Sequence, residues 1–428
     1  MFLFAQQAEQ CGQVAYKQYL ETLKPGINNH IDQVYFEALK QSKIKTKYTP
    51  KDTLHTIKVV FHVVYNTVQE NLPDQYIYSQ LDILNECFRR QNADTILTRD
   101  IFKSVAGDAG IHFELATVDE LGNATSGIVR KLTTKTSFLS GGFDLSEADQ
   151  VKGEILGSKA WDTEKYLNIW ICDLSLQGQD VLLGYAFPPT GAPNWNASSF
   201  VFSDRQGVVA HYKAVGLNNP ISRYKQGKTL VHEVGHYLGL RHIWGDAPNW
   251  GRCNTRYDDF IEDTPLSGTS SSATSGCNWN KNTCIWNVNG DLPDQIENYM
   301  DYAPEQCQNM FSEGQIRLMR ANLTSFRMGI YTTEFPEPLG PVIDNDVTGV
   351  FPNPAKDQLV INILDFKEEN SYSLQIVNML GKEVFSQNIV SIKAQYLNYN
   401  FGIRGPHIYR IMENTDKVIK EDKILFLD

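Results

Sequence analysis

The rhythm of apolar and polar positions changes three times along the chain. Residues 8–49 are polar with a weak helical period. Val14, Tyr16, Tyr19, Leu20 and Leu23, then Ile31, Val34, Tyr35, Ala38 and Leu39, recur at steps of three and four. The Lys-rich run from Lys40 to Lys51, with Pro50, reads as an exposed, cleavable linker. Ile57 to Tyr65 is then almost continuously apolar and β-branched, as an inner strand requires. Ser79–Gln91 carries Leu81, Leu84 and Phe88 at helical spacing, with Asp82 in its first turn. Ile111–Ala116 alternates like a half-buried strand, Tyr166–Cys172 reads as another, and Ser199–Val209 contains a fourth. A helix from about Lys228 turns Leu230, Val231, Val234 and Leu238 toward a core. A long irregular region follows, to about Leu292, and residues 313–327 form a closing helix. Pro336, Pro338, Gly340 and Pro341 mark a linker. Beyond it short alternating strands are expected at 359–363, 372–377, 383–385, 407–411 and 424–426.

Strands interleaved with helices, then a run of strands, predict an α+β body followed by a small all-β sandwich. The expected segments are 1–52, the mixed sheet with helices at 53–330, a linker at 331–345 and the sandwich at 346–428. A chain of 428 residues is too long for one ordinary core, which agrees with this division. Apolar content of 42% and charged content of 21% are those of a soluble globular protein. A net charge of −11 argues against nucleic acid and anionic membranes as partners. No apolar stretch approaches the roughly 18 residues of a membrane span.

Met1-Phe2-Leu3-Phe4-Ala5-Gln6-Gln7 resembles the end of a signal peptide without its basic start, and export is the expectation. Of the seven cysteines, Cys253, Cys277, Cys284 and Cys307 cluster in the irregular region, where an even set reads as two disulfides in an oxidising compartment. Cys87 and Cys172 sit in apolar patterns and are expected buried and inert, which leaves Cys11 over.

The chemistry concentrates in Val231–His242, which reads H-E-x-x-H-x-x-G-x-x-H. His232 and His236, four apart on a helix, present both imidazoles on one face. Gly239 can adopt the left-handed conformation that ends a helix and swings His242 back as a third nitrogen. Glu233, next round the helix, is placed to hold a water without being a ligand. Three protein ligands with an open fourth position are how a catalytic zinc site is built.

This stretch is the signature of metzincins, which also carry a methionine turn below the metal. Asn298-Tyr299-Met300-Asp301-Tyr302 fits that turn. With Leu167-Asn168-Ile169-Trp170 and Asp263-Thr264-Pro265, the set resembles the pappalysin family, especially its small bacterial members, over roughly residues 53–330. The resemblance implies a metzincin-like catalytic domain with zinc on His232, His236 and His242, and Glu233 as general base. It implies a supporting role for Met300 and a transition-state role for Tyr302. It implies the pairs Cys253–Cys284 and Cys277–Cys307. It implies calcium, as a structural ion, in the loop carrying Asp259, Asp263 and Thr264, hard oxygen donors suited to that cation. Cys11-Gly12 resembles a cysteine switch, in which a thiolate takes the open zinc position until a pro-segment within 1–52 is removed. One departure bears on specificity. Relatives that cut before basic residues have an acidic residue just ahead of the last cysteine, and here that residue is Gln306, after Glu305.

The tail resembles the C-terminal sorting domain of type-nine secretion substrates through Val350–Ala355, Ile376–Lys382 and Ile408–Ile411. That implies recognition by a secretion apparatus, export across an outer membrane, and a secreted or cell-surface product. The expected activity is hydrolysis of protein or peptide substrates, aligned as an added antiparallel strand on a sheet edge. Tyr166–Cys172 is a candidate for that edge. Two rivals are a secreted zinc-containing binding or adhesion protein and a zinc hydrolase acting on another bond. An intact Glu233 argues against the first, and the methionine turn and apparent pro-segment argue against the second.

Overall fold

The structure is a computed structural model. It describes residues 9–43, 53–190, 203–222, 224–246, 252–272, 276–285, 292–327 and 329–334. Toward the C-terminus it describes 348–351, 358–363, 367, 369–378, 381–389, 394–398, 403, 405–414 and 417–426. Met1–Gln7, most of the Lys-rich run, residues 199–202, the Pro-rich linker, Pro352–Ala355 and Met379-Leu380 lie outside them. The chain divides into two compact units, Met1–Glu334 and Phe335–Asp428.

The first unit is one sheet with helices. Its strands are β1 (Glu9–Cys11), β2 (Leu54–Tyr65), β3 (Ile111–Leu115), β4 (Ile128–Leu132), β5 (Leu167–Cys172), β6 (Leu182–Ala186), β7 (Val208–His211) and β8 (Tyr331–Glu334). Its helices are α1 (Gln13–Leu23), α2 (Ile27–Ser42), α3 (Asp74–Phe88), the single turns α4 (Asp100–Lys103) and α5 (Leu145–Ala148), α6 (Lys228–Tyr237) and α7 (Glu313–Phe326). The sheet order is β1-β6-β7-β5-β2-β3, with β4 and β8 also on β2. Strand β2 is parallel to β3, β4 and β5, and β5 is parallel to β7. Strand β6 runs antiparallel to β7.

The apolar run in β2 has a physical reason. A parallel sheet is covered on both faces, so its central strand has little to show to water. Ile57, Val59, Phe61 and Val63 enter the core beneath α3, α6 and α7. Val64 enters a second core on the opposite face, with Trp170, Tyr185 and Phe187. Helix α7 begins with a capping box, in which Ser312 and Gln315 satisfy each other's backbone N–H groups.

Several expectations are corrected here. Tyr166–Cys172 is not an edge, because β5 lies between β7 and β2; at that end of the sheet β1 is outermost, with β6 next to it. Residues 331–334 are not linker, because β8 pairs antiparallel with Leu54–Ile57 of β2. Residues 9–43 pack against the rest of the first unit. Tyr16, Leu20, Ile27 and Ile31 fill one core, and Tyr35 and Ala38 fill the other. Helix α3 also starts at Asp74, ahead of Ser79, directly after Pro73.

The irregular region is held by two disulfides, Cys253–Cys284 and Cys277–Cys307. In the second unit a three-stranded sheet joins β9 (Gly349–Phe351), β10 (Gln358–Asn362) and β13 (Ala394–Asn398). A four-stranded sheet joins β11 (Tyr372–Asn378), β12 (Glu383–Ile389), β14 (Gly405–Glu413) and β15 (Lys417–Phe426). Leu359 and Ile361 of the first share a core with Leu374, Ile376, Ile411 and Ile424 of the second, which makes a small sandwich.

Candidate active site

Helix α6 is fixed at both ends. At its start, the Glu305 carboxylate accepts the backbone N–H groups of Gln226 (3.0 Å) and Lys228 (2.9 Å), a negative charge at the positive end of the helix. The Lys228 ammonium donates back to the Glu305 and Gln308 carbonyls and pairs with Asp94. At its end, Gly239 takes φ +94° and the chain reverses. A side chain there would also strike the Asn322 amide, 2.2 Å from where its Cβ would stand. Both strain and space demand glycine.

The reversal brings His242 to His232 and His236. The three Nε2 atoms lie 3.0–3.2 Å from one another, so they converge on one point. Each opposite ring nitrogen is held by the protein. His232 Nδ1 donates to the Tyr299 carbonyl (2.7 Å), His236 Nδ1 to the Leu240 carbonyl (2.8 Å) and His242 Nδ1 to Asp246 Oδ1 (2.5 Å). Such partners set the tautomer and leave Nε2 as a lone-pair donor. Burial and the neighbouring imidazoles keep His232 and His236 neutral, with His232 lowered to about 3. Three converging nitrogens held in this way are a donor set for a borderline-soft cation such as zinc.

Glu233 stands beside this point, fully buried, and burial pushes its carboxyl up to about 8. Its Oε1 has no hydrogen-bond partner among the described residues, while Oε2 accepts from the Cys11 thiol at 3.6 Å. Cys11 is itself buried, and burial first, then the Glu233 charge, raises its thiol well above the ordinary value. One ligand atom from each of Cys11, His232, His236 and His242 lies within 4.8 Å of the other three. Among the described residues no other His, Cys, Asp and Glu side chains gather in this way.

Cys11 arrives on β1, which lies parallel on the β6 edge with Cys11 opposite Gly184. The Gly12 N–H donates to the Gly184 carbonyl at 2.8 Å. Gly184 has no room for a side chain, since its Cβ would sit 2.7 Å from Glu233 Cγ. That absence lets β6 pass directly over the Glu233 carboxylate.

Met300 is fully buried beneath α6, with its sulfur 2.6 Å from the Cβ position that Gly235 lacks. Tyr302 packs between His232 and His242 (ring centroids 5.7 and 5.0 Å), and its hydroxyl donates to the Cys11 carbonyl at 3.3 Å. Two neighbours escape motif reasoning. Trp244 stacks on His242 at 4.2 Å, and Asp246 orients the same ring. Their only signal in the sequence is closeness to His242.

The acidic loop is arranged differently. Asp259 accepts from the Ile261 N–H and the Thr264 hydroxyl, and Asp263 accepts from the Ser312 hydroxyl and the Gly314 N–H at the start of α7. The Asp259 and Asp263 carboxylates therefore face protein donors rather than one shared point. Gln306 is exposed, and the Glu305 carboxylate is engaged at the start of α6.

A mixed sheet, a helix and a glycine turn that converge three imidazoles beside a buried carboxylate define a metallopeptidase of the metzincin type. The comparisons with known proteins make this more particular. The peptidase M43 profile, described as pregnancy-associated plasma protein-A, matches residues 150–324, and a secretion system C-terminal sorting domain matches 349–424. An extracellular metalloprotease of Arthroderma gypseum is 27% identical over 319 residues, covering 74% of this chain and 85% of that protein. One from Arthroderma benhamiae is 28% identical over 293 residues, 68% of this chain and 80% of that protein. A solved mirolysin, in complex with a compound, is 39% identical with TM-score 0.55, covering 65% of this chain and 96% of its own. A promirolysin variant of Tannerella forsythia is 35% identical with TM-score 0.60, covering 75% and 97%. The chain belongs to the pappalysin family of metallopeptidases and carries a type-nine secretion sorting domain, which places the protein outside the cell or at its surface. Among the described residues no helix is long and apolar enough to cross a membrane.

Proposed function

We propose that the protein is a zinc-dependent endopeptidase made in a latent form, with Glu233 as general base and Cys11 as the latency residue. The observation that carries this reading is the convergence of three Nε2 atoms at 3.0–3.2 Å beside a buried carboxylate with an unpaired oxygen. His232, His236 and His242 hold the ion. When bound, zinc supplies an electrophile for the scissile carbonyl and lowers the pKa of water toward about 7. Glu233, raised by burial into the range of a working acid–base group, takes the proton of the attacking water on its carboxylate and returns it to the leaving amine. The Tyr302 hydroxyl, now on the Cys11 carbonyl, is the donor for the substrate oxyanion once Cys11 has left. The β6 edge aligns substrate by backbone hydrogen bonds.

Latency follows from the same geometry. Strand β1 occupies the β6 edge, and the Cys11 sulfur sits against Glu233 and within reach of the three imidazoles. That a promirolysin matches 75% of this chain, where a mature mirolysin matches 64%, supports a precursor form here as well. The sorting domain addresses the type-nine secretion machinery. The calcium reading rests on the family resemblance and on the buried carboxylate of Asp259 beside Asp258. A calcium-selective chelator should then lower the melting temperature; an unchanged value removes calcium from the account.

The decisive experiment incubates casein or gelatin with the protein after removal of residues 1–50, wild type against Glu233→Ala, with and without a zinc chelator. Cleavage abolished by both treatments is expected. Cleavage that survives Glu233→Ala sinks the mechanism, and none from wild type favours the binding-protein reading. Cys11→Ala in the uncut chain should show early activity, and unchanged latency would remove Cys11 from its role.

A further inference from the structure

We infer that the first unit carries a two-point docking surface for residues 9–43, which therefore stay bound as a non-covalent partner after a cut in the 44–52 linker. Release requires a second cut, in the turn between α1 and α2. The inference rests on the latency reading only for its consequence, because neither docking point involves Cys11 or the metal site.

The first point is Tyr16 on α1. Its hydroxyl donates to Asp149 Oδ1 at 3.0 Å and accepts from the Lys152 ammonium at 3.0 Å. Asp149 and Lys152 are themselves buried and paired at 2.9 Å, and Arg205 reaches the other Asp149 oxygen at 2.5 Å. The Lys152 ammonium lies 4.8 Å over the Tyr16 ring, which packs 4.6 Å from Tyr185 of β6. The phenol is thus built into a buried ion pair, and its departure would open that pair to water. Leu20, also fully buried, fills the space beside it.

The second point is on α2. Arg241, next to His242, places its guanidinium 3.8 Å over the Tyr35 ring and donates to Asp32 at 2.8 Å. The Tyr35 hydroxyl donates to the Asp259 carbonyl, and Phe36 meets Phe260 edge-on at 5.2 Å. Ala38 lies wholly inside the core and Lys43 pairs with Glu262 at 3.0 Å.

Between the two points the chain is exposed at Pro25 and Gly26. The turn is held mainly by its own Glu21, which accepts the Gly26 and Asn28 N–H groups. Two contacts on one short connection reinforce each other, because the second forms at a high effective concentration once the first has formed. A linker cut leaves both contacts on one piece. A cut in the turn splits them: the α1 piece keeps Tyr16 and the β1 pairing with β6, and the α2 piece keeps Tyr35 and Asp32.

The test uses the full chain with Glu233→Ala, so that nothing digests itself, and a single site for a sequence-specific protease placed within 44–52. After cleavage, gel filtration in chelator reads whether the N-terminal fragment travels with the body. Co-elution is expected, and Tyr16→Ala combined with Arg241→Ala should speed loss of the fragment by about 100-fold. A second version adds the same protease site at residues 23–26, and its pieces should separate. Melting curves of the uncut variants establish that each is folded. A fragment that leaves after the linker cut alone overturns the inference, as do twice-cut pieces that stay bound as long as the once-cut fragment. Because chelator and Glu233→Ala remove metal and catalysis, retention is read independently of latency. Proteolysis by the active chain while the fragment is retained would defeat the latency reading and leave the docking surface standing.

Discussion

His62 and His211 of the sheet are as buried as the three histidines of the metal site, yet they are built in the opposite way. His62, on β2, has both ring nitrogens satisfied, Nδ1 with Ser158 at 2.8 Å and Nε2 with Asn168 at 2.9 Å. His211, on β7, accepts the Leu174 N–H and pairs with Asp180. His232, His236 and His242 are each tied through one nitrogen only and turn the other toward a shared point. Burial therefore does not distinguish a ligand from a packed histidine. The nitrogen that the protein leaves unpaired does. Glu233 obeys the same rule, with Oε2 engaged by Cys11 and Oε1 without a partner among the described residues.

If that contrast is real, damage on the two sides should separate cleanly. The largest effect is expected from Glu233→Ala, which should lower peptide hydrolysis by about 10²–10⁴-fold while bound zinc and melting temperature stay near wild type. Loss of the metal along with activity would mean that the carboxylate is a ligand. Asp246→Ala comes next. Removing the group that orients His242 should weaken zinc affinity by about 10–100-fold, read by competition with a chromophoric chelator, with little change in fold. On the sheet side, His62→Ala should leave zinc content untouched and cost about 2 kcal/mol in urea unfolding, because Ser158 and Asn168 lose their buried partner.

His62 also predicts a pH effect. Burial lowers its folded value from 6.5 to about 4, so the unfolded chain takes up the proton first. Its stabilising contribution is then complete above pH 6.5 and fades as the pH falls toward 4. The stability gap between wild type and His62→Gln should narrow over that window, and a gap that widens would contradict the neutral, doubly bonded ring. The smallest effect is expected from Met300→Leu. A buried swap of similar volume should cost less than about 1.5 kcal/mol and leave zinc bound, whereas a large loss of metal would make the sulfur more than support.

Legibility followed the range of the interaction. The metal helix, its glycine turn and the third histidine lie within eleven consecutive residues and repeat at helical spacing, so their proximity was readable before any fold was known. Helix α7 and strands β2 and β5 were readable for a similar reason, since their apolar pattern is local. Strand β6 was not. Leu182–Ala186 is short and contains Gly184, so its strand pattern is weak, yet it became the strand over Glu233. Trp244 and Asp246 were equally silent, because neither residue type carries metal chemistry in that position by itself. The role of Glu305 was hidden too. As a charge beside the last cysteine it suggested specificity, and the fold engages it at the start of α6.

What the amino-acid sequence determined by itself is the donor set: three imidazoles and a carboxylate on one helix and its turn, fixed by the period of the α-helix and by one glycine. It also carried the two-part organisation, through the switch from mixed periodicity to short alternating strands. Only the tertiary structure decided what surrounds that donor set. It brought Cys11 to Glu233 across 222 positions of sequence, slid Met300 beneath Gly235, and sank Tyr16 into an ion pair between Asp149 and Lys152. Those contacts depend on which faces the sheet and helices bury together, and no local pattern of residues encodes a partner so far along the chain.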